Sequence, residues 1–107
     1  MMLITLSSRH KEKVLHILRQ HLPDRKTKIY VFGSRARGTA KMKSDLDLAI
    51  DTGGERLDSS LLSRIKQDFE DSSLPFFIDL LDLNAVGLAF KARILPFLQD
   101  LEKETEG

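Results

Sequence analysis

One stretch of this 107-residue chain constrains its fold more than any other: two short strands joined by a basic turn. The first strand, residues 28–32, is β-branched and aromatic and ends at a Gly-Ser pair. The second, residues 45–51, opens with Asp45 and Asp47. Side chains alternate along a strand, so these two aspartates are expected on one face. The other face should point toward the core with the apolar residues Leu46, Leu48 and Ile50.

Helical periodicity and turn signals divide the remaining chain into three helices and a third strand. The order predicts one α/β (α+β) domain over residues 1–107, with helices packed on one face of a three-stranded sheet. The face with the aspartates is expected to be open. The apolar stretch 90–101 either packs internally or docks a partner. The predicted elements are a helix from Ser7 or Ser8 to about Leu22, a helix capped by Asp58 to about Ser72, a strand over 76–83, and a helix capped by Asn84 from Ala85 to about Leu95.

Composition and charge exclude several classes of protein. Without cysteine the chain has no disulfide framework and no thiolate zinc site. No run approaches the roughly 20 apolar residues of a membrane span, and the N-terminal run is too short for a signal peptide, so we expect a cytoplasmic protein. Residues 1–44 carry a net charge of +9 and residues 45–107 a net charge of −8. This polarity suits an anionic ligand that carries a divalent metal, although attraction between the halves would also explain it.

The aspartates predict a cation site. Two carboxylates on one strand face repel each other unless a cation lies between them, and oxygen ligands favour Mg²⁺ or Mn²⁺. A two-metal site needs a third acid, and the third strand offers Asp79 and Asp82 on opposite faces. We choose Asp79, because a charge in the middle of a strand needs a partner. Asp82, near the strand end, is expected at the surface or capping a loop.

The Gly-Ser pair predicts a phosphate contact. Gly33 allows a phosphate to approach the backbone, and Ser34 adds a hydroxyl and an amide at the start of a helical turn. A tight turn that needs glycine is the structural alternative. The pattern is not a Walker loop, because Thr39-Ala40 stands where that motif needs Lys and Ser/Thr. The surrounding cations are ranked with Arg35 and Arg37 before Lys41 and Lys43.

Three parts of the sequence recur in a known family: FGSRARGTA at residues 32–40, SDLDL at residues 44–48, and Asp79. They resemble the DNA polymerase β nucleotidyltransferase superfamily and, within it, the minimal nucleotidyltransferase (MNT) branch. The resemblance implies a polymerase-β-like palm with a mixed sheet, two Mg²⁺ ions and ATP as the substrate. The implied metal-binding and catalytic residues are Asp45, Asp47 and Asp79, with Asp79 on the acceptor side. The implied nucleotide-binding residues are Gly33, Ser34, Arg35, Arg37 and Ser44.

The resemblance also implies a partner and a reaction. In similar MNT proteins the partner is a HEPN-domain toxin, and the antitoxin transfers AMP to a tyrosine hydroxyl of that toxin, as in type VII toxin–antitoxin pairs. The leading hypothesis is therefore an Mg²⁺-dependent adenylyltransferase that acts as an antitoxin. One alternative is an MNT-like binding subunit that inhibits its partner by occlusion. Another is a nucleotidyltransferase acting on a small molecule or an RNA end. We expect no membrane association and no direct binding of nucleic acid.

Overall fold

A computed structural model describes residues 4–37, 41 and 44–103, except that the side chain of Arg37 lies outside the description. Four helices and four strands follow one another along this part of the chain, with a 3₁₀ turn after the last helix. In order they are α1 (Ser8–His21), β1 (Lys28–Phe32), α2 (Ser34–Arg37), β2 (Leu46–Asp51), α3 (Ser59–Glu70), β3 (Ile78–Asp82), α4 (Leu88–Ile94), the 3₁₀ turn (Leu95–Phe97) and β4 (Gln99–Asp100).

The strands form one mixed sheet in the order β3-β2-β1-β4. β1 runs antiparallel to both β2 and β4, whereas β2 and β3 are parallel. The predicted fold class is confirmed, but the prediction of three strands is wrong. The fourth strand pairs only Gln99 and Asp100 with β1. Two residues after a proline-containing turn are too short to show the alternation that identifies a strand.

The core lies between one face of the sheet and the helices α1 and α3. Val31, Leu48 and Ile50 from the sheet have no exposed surface, and neither have Leu18 from α1 and Ile65 from α3. Burying each such side chain contributes roughly 1.5–3 kcal/mol to stability. α1 begins where the sequence predicts, because the Ser7 hydroxyl accepts a hydrogen bond from the amide of His10. These contacts hold β1 and β2 in place beneath the helices.

The region after β3 differs from its prediction. α4 begins at Leu88 with Gly87 as its N-cap, so the helix expected from Ala85 with Asn84 as cap is wrong. The side chain of Asn84 instead accepts hydrogen bonds from the amide and hydroxyl of Thr52. In α4, all of whose residues are described, no side chain is buried. The stretch 90–101 therefore packs internally only at its end, where Leu101 is fully buried. Within the described residues, no helix is long and apolar enough to cross a membrane.

Candidate active site

Asp47 and Asp79 lie side by side on neighbouring strands. They are register partners in the parallel pair β2–β3, and such partners share a face about 4.8 Å apart. Asp45 comes just before β2 and lines the same cleft as Asp79. Asp45 and Asp79 are exposed, and Asp47 is half-buried. The fold thus brings the three predicted acids to one end of the sheet.

The face that carries these acids is less open than the sequence predicts. Ala49 follows Asp47 on the same face and is fully buried. Exposure is therefore concentrated at the end of the face where Asp79 lies. This end is formed by the first residues of β2 and β3, since Asp47 and Asp79 are each the second residue of their strand.

Gly33 lies directly against the carboxylate of Asp47. Its φ of +73° is in the left-handed region, which favours glycine. A Cβ atom at this position would lie 2.2 Å from Oδ2 and 3.2 Å from Cγ of Asp47. The positive φ of the turn from β1 into α2 therefore favours glycine, and any other residue would also displace the Asp47 carboxylate. Ser34, half-buried, is the first residue of α2 and follows this contact.

The side chain of Arg35 does not have the position that the sequence suggests. It is only 4% exposed, and its guanidinium donates to the Ser44 carbonyl from Nε (3.1 Å) and Nη2 (2.8 Å). Nη1 donates to the carbonyl of Thr5 at 2.7 Å. The guanidinium also lies 4.3 Å from the centroid of the Phe76 ring. Arg35 therefore links the segment before β2 to the segment before β3 from inside the fold.

Arg35 is connected to the carboxylate site through the backbone of the residue that precedes Asp45. Ser44 immediately precedes Asp45, so the carbonyl that Arg35 holds is one residue from a predicted ligand. Burial lowers the pKa of the Arg35 guanidinium, and the negative charge of Asp45 opposes that change. We interpret Arg35 as a positioning residue that holds Asp45 and the start of β3 near each other.

The remaining residues predicted to contact the nucleotide or surround its phosphates are Ser44, Lys41, Arg37 and Lys43. The Ser44 hydroxyl accepts a hydrogen bond from the Lys41 amide at 2.8 Å, and the Ser44 amide donates to the Lys41 carbonyl at 3.0 Å. Ser44 thus closes a turn before β2. Lys41 is exposed. The side chain of Arg37 and all of Lys43 lie outside the described residues.

The reason for choosing Asp79 over Asp82 is wrong, although the choice agrees with the register. Asp79 is exposed near the start of β3, so water can solvate its charge and the charge does not require a partner. Asp82 is the buried one, at 7% exposure, and its carboxylate accepts hydrogen bonds from the amides of Leu57 (2.7 Å) and Asn84 (2.9 Å). The prediction of a loop-capping role for Asp82 fits these contacts, whereas a surface position does not. Sequence alternation separates the two faces but does not tell which face is covered at each end of a strand.

The donor chemistry of the three acids fits Mg²⁺, which prefers carboxylate oxygens. Asp47 and Asp79 are adjacent like charges, and a divalent cation between them removes the repulsion. Among residues 4–37, 41 and 44–103, no three acidic or imidazole side chains already form a metal-binding group. What the backbone does show is that Asp47 and Asp79 are register partners and that Asp45 comes just before β2.

A cleft of about 890 Å³ opens beside Asp45 and Asp79. Its walls come from α3 and from the chain that leads into and forms the first half of β3. Phe77, in the segment that leads into β3, is 80% exposed. Sequence reasoning missed it, because no motif distinguishes the two consecutive phenylalanines, Phe76 and Phe77, in the predicted strand 76–83. The signal that they differ is the alternation itself, which puts neighbours on opposite faces.

The mixed sheet, the paired carboxylates and the glycine turn beside them together define a nucleotidyltransferase palm. Residues 12–96 match the model of the family described as Polymerase beta, Nucleotidyltransferase. The chain therefore belongs to the polymerase β nucleotidyltransferase family, and the resemblance seen in the sequence is confirmed.

Individual relatives narrow the comparison. The chain is 40% identical, over 93 residues, to a probable protein adenylyltransferase MntA of Haemophilus influenzae, covering 84% of this chain and 79% of that protein. It is 26% identical, with a TM-score of 0.68, to a chain in the crystal structure of a toxin–antitoxin with AMP-PNP, covering 85% of this chain and 71% of the other. A third similar structure is a tri-AMPylated Shewanella oneidensis HEPN toxin in complex with an MNT antitoxin. There the identity is 23%, the TM-score 0.61 and the coverage 85% and 67%, a likeness of fold.

Proposed function

We propose that this chain is an Mg²⁺-dependent adenylyltransferase that transfers AMP from ATP to a tyrosine hydroxyl of a HEPN-domain toxin. In this proposal it is the antitoxin of that pair and acts in the cytoplasm as a single minimal nucleotidyltransferase domain. The observation that carries the proposal is the register of Asp47 with Asp79, with Gly33 against the Asp47 carboxylate. The 40% identical relative, a probable protein adenylyltransferase, supports the choice of AMP and of a protein acceptor.

The proposed metal ligands are Asp45, Asp47 and Asp79. When bound, two Mg²⁺ ions would neutralise the triphosphate and lower the pKa of the acceptor hydroxyl. Asp45 and Asp79 both line the cleft, but Asp79 is the one that lies on the edge strand β3, so we assign it to the acceptor side. Its carboxylate would take the proton as the acceptor oxygen bonds to the α-phosphorus, and the bond from that phosphorus to the leaving pyrophosphate breaks.

The proposed triphosphate contacts are Gly33, Ser34 and Arg37. Gly33 has no side chain to block the backbone, and Ser34 offers a hydroxyl and an amide at the beginning of α2. Arg37 would supply positive charge. We do not include Arg35, whose buried guanidinium donates to the carbonyls of Thr5 and Ser44, or Ser44, whose hydroxyl accepts a hydrogen bond from the Lys41 amide. The crystal structure of a relative with AMP-PNP supports ATP as the substrate.

The deciding experiment incubates the protein with ATP labelled at the α-phosphate, Mg²⁺ and the product of its neighbouring gene, for which we propose a HEPN domain. We expect label on the partner, and its loss in Asp45→Asn and Asp47→Asn. Asp51→Asn is the matched control, because Asp51 lies on the same strand and face as Asp47, and its Oδ1 accepts a hydrogen bond from the Gly53 amide. An asparagine keeps that acceptor, so transfer should be unchanged.

Two other outcomes would redirect the proposal. If the Asp45→Asn and Asp47→Asn proteins still inhibit the toxin fully and no label moves, the chain inhibits by occlusion and the enzymatic proposal is wrong. If label moves to RNA or to a small molecule and not to protein, the acceptor class is wrong.

Chelation of Mg²⁺ should abolish transfer, and Mn²⁺ should restore it.

A further inference from the structure

The cleft beside Asp79 lies along the outer edge of the sheet. Within the described residues β3 is the terminal strand of the sheet, so one side of its backbone pairs with β2 and the other faces away. The Phe77 carbonyl accepts a hydrogen bond from the Leu46 amide in β2. Backbone groups of a parallel strand alternate in direction, so the amides and carbonyls of Ile78 and Leu80 point away from β2. Both residues line the cleft.

An exposed ring lies at this edge. Phe76 is buried, with the Arg35 guanidinium 4.3 Å from its ring centroid and the His10 ring at 5.4 Å. These contacts hold the backbone before β3, and the following residue, Phe77, projects its ring outward at 80% exposure. Phe77 lines the cleft together with Asp79. An exposed aromatic side chain that lines the same cleft as Asp45 and Asp79 has the position of a substrate anchor.

The wall that α3 contributes to the cleft is mixed, with Lys66, Phe69 and Glu70 on the same helix. Together with Asp45 and Asp79 the lining carries three acids and one lysine, so it does not favour an acidic segment. The rest of the lining is apolar. Recognition in this cleft would therefore depend on backbone hydrogen bonds along β3 and on apolar contact with Phe77.

We propose that the cleft binds the acceptor segment of the partner protein as an extended strand along the outer edge of β3. In this arrangement the amides and carbonyls of Ile78 and Leu80 pair with the segment. An apolar side chain of the segment packs on Phe77, and its acceptor hydroxyl reaches Asp79. The inference rests on the proposed function, since it assigns the substrate-binding surface of that same site.

The first test measures transfer kinetics for Phe77→Ala. We expect the KM for the partner protein to rise about tenfold, as for loss of an aromatic anchor, while the KM for ATP stays unchanged. Leu88→Ala is the matched control, because Leu88 is also exposed, at 84%, lies outside the stretch 90–101 and does not line the cleft. Transfer with an unchanged KM for the partner in Phe77→Ala would overturn the role of Phe77.

The second test does not depend on catalysis. Amide hydrogen exchange is compared in Asp47→Asn protein, alone and bound to the HEPN-domain partner, and we expect protection of Ile78 and Leu80 in the complex. Absence of protection overturns strand addition, even if AMP transfer occurs. Protection without any transfer in the wild-type protein supports the docking surface and overturns the proposed enzymatic function. The two proposals can therefore fail separately.

Discussion

The two ends of β3 carry one aspartate each, in opposite surroundings. At the first end Asp79 is exposed, next to Asp47 of β2 and at the mouth of the cleft. At the other end Asp82 is buried, and both of its carboxylate oxygens accept backbone hydrogen bonds. The same residue type thus serves the loops at one end and is available to a ligand at the other.

Comparing the two aspartates separates effects on AMP transfer from effects on stability in this fold. A buried carboxylate whose oxygens are hydrogen-bonded stabilises the native state, and replacing it leaves backbone amides without acceptors. An exposed carboxylate next to another carboxylate destabilises the native state slightly, by up to about 1 kcal/mol in water, so stability does not explain its presence. Substitutions at the two ends should therefore affect different measurements.

The largest effect is expected for Asp79→Asn. If Asp79 binds metal and accepts the hydroxyl proton, AMP transfer should fall at least about 100-fold. The midpoint of thermal unfolding should stay the same or rise slightly, because one of two adjacent negative charges is removed. Transfer assays and thermal unfolding of the same preparation check both parts. Normal transfer by this variant would remove Asp79 from the site.

Gly33→Ala should have the next largest effect. The added Cβ cannot coexist with the present position of the Asp47 carboxylate, and the positive φ costs about 1–2 kcal/mol for an alanine. We expect transfer to fall about tenfold as the carboxylate rotates away, with a modest loss of stability.

A double-substitution cycle separates the two causes. In an Asp47→Ala background the contact is gone, so Gly33→Ala should cost only the backbone strain. Equal losses of unfolding free energy in the two backgrounds would show that the contact between Gly33 and Asp47 has no energetic consequence.

Arg35→Lys tests whether the buried guanidinium stabilises the segments that lead into β2 and β3. An ammonium group cannot make the three guanidinium hydrogen bonds at once, so we expect a loss of about 3 kcal/mol in the free energy of unfolding. Affinity for ATP, measured by calorimetry below the unfolding transition, should change little. A variant with full stability but much weaker ATP binding would restore Arg35 to the nucleotide-binding set.

Asp82→Asn should have the smallest effect of the four, confined to stability. The amide keeps one acceptor oxygen and points its NH₂ group at the other backbone amide, which costs about 1–2 kcal/mol. For a domain of this size, each kcal/mol lowers the unfolding midpoint by roughly 4–8 °C. Transfer per folded molecule should remain within about twofold of wild type. A specific loss of transfer would erase the distinction between the two ends of β3.

Much of the fold could be predicted because its signals are local. β1 has its predicted bounds, and α1 starts at its predicted cap, since hydrophobic periodicity and a capping serine depend only on neighbouring residues. The region after β3 could not be predicted in the same way. Asn84 has the chemistry of a helix cap but binds Thr52, a residue far away in sequence.

Residue types at short spacing were enough to predict the glycine turn, the alternation of aspartates and leucines in β2, and the family. Which acids lie side by side, and where the Arg35 guanidinium lies, depends instead on tertiary packing. Strand register puts Asp79 beside Asp47, and burial turns Arg35 inward to carbonyls of Thr5 and Ser44. Both outcomes depend on contacts between segments distant along the chain, whose geometry is set by the packing of the whole sheet and its helices.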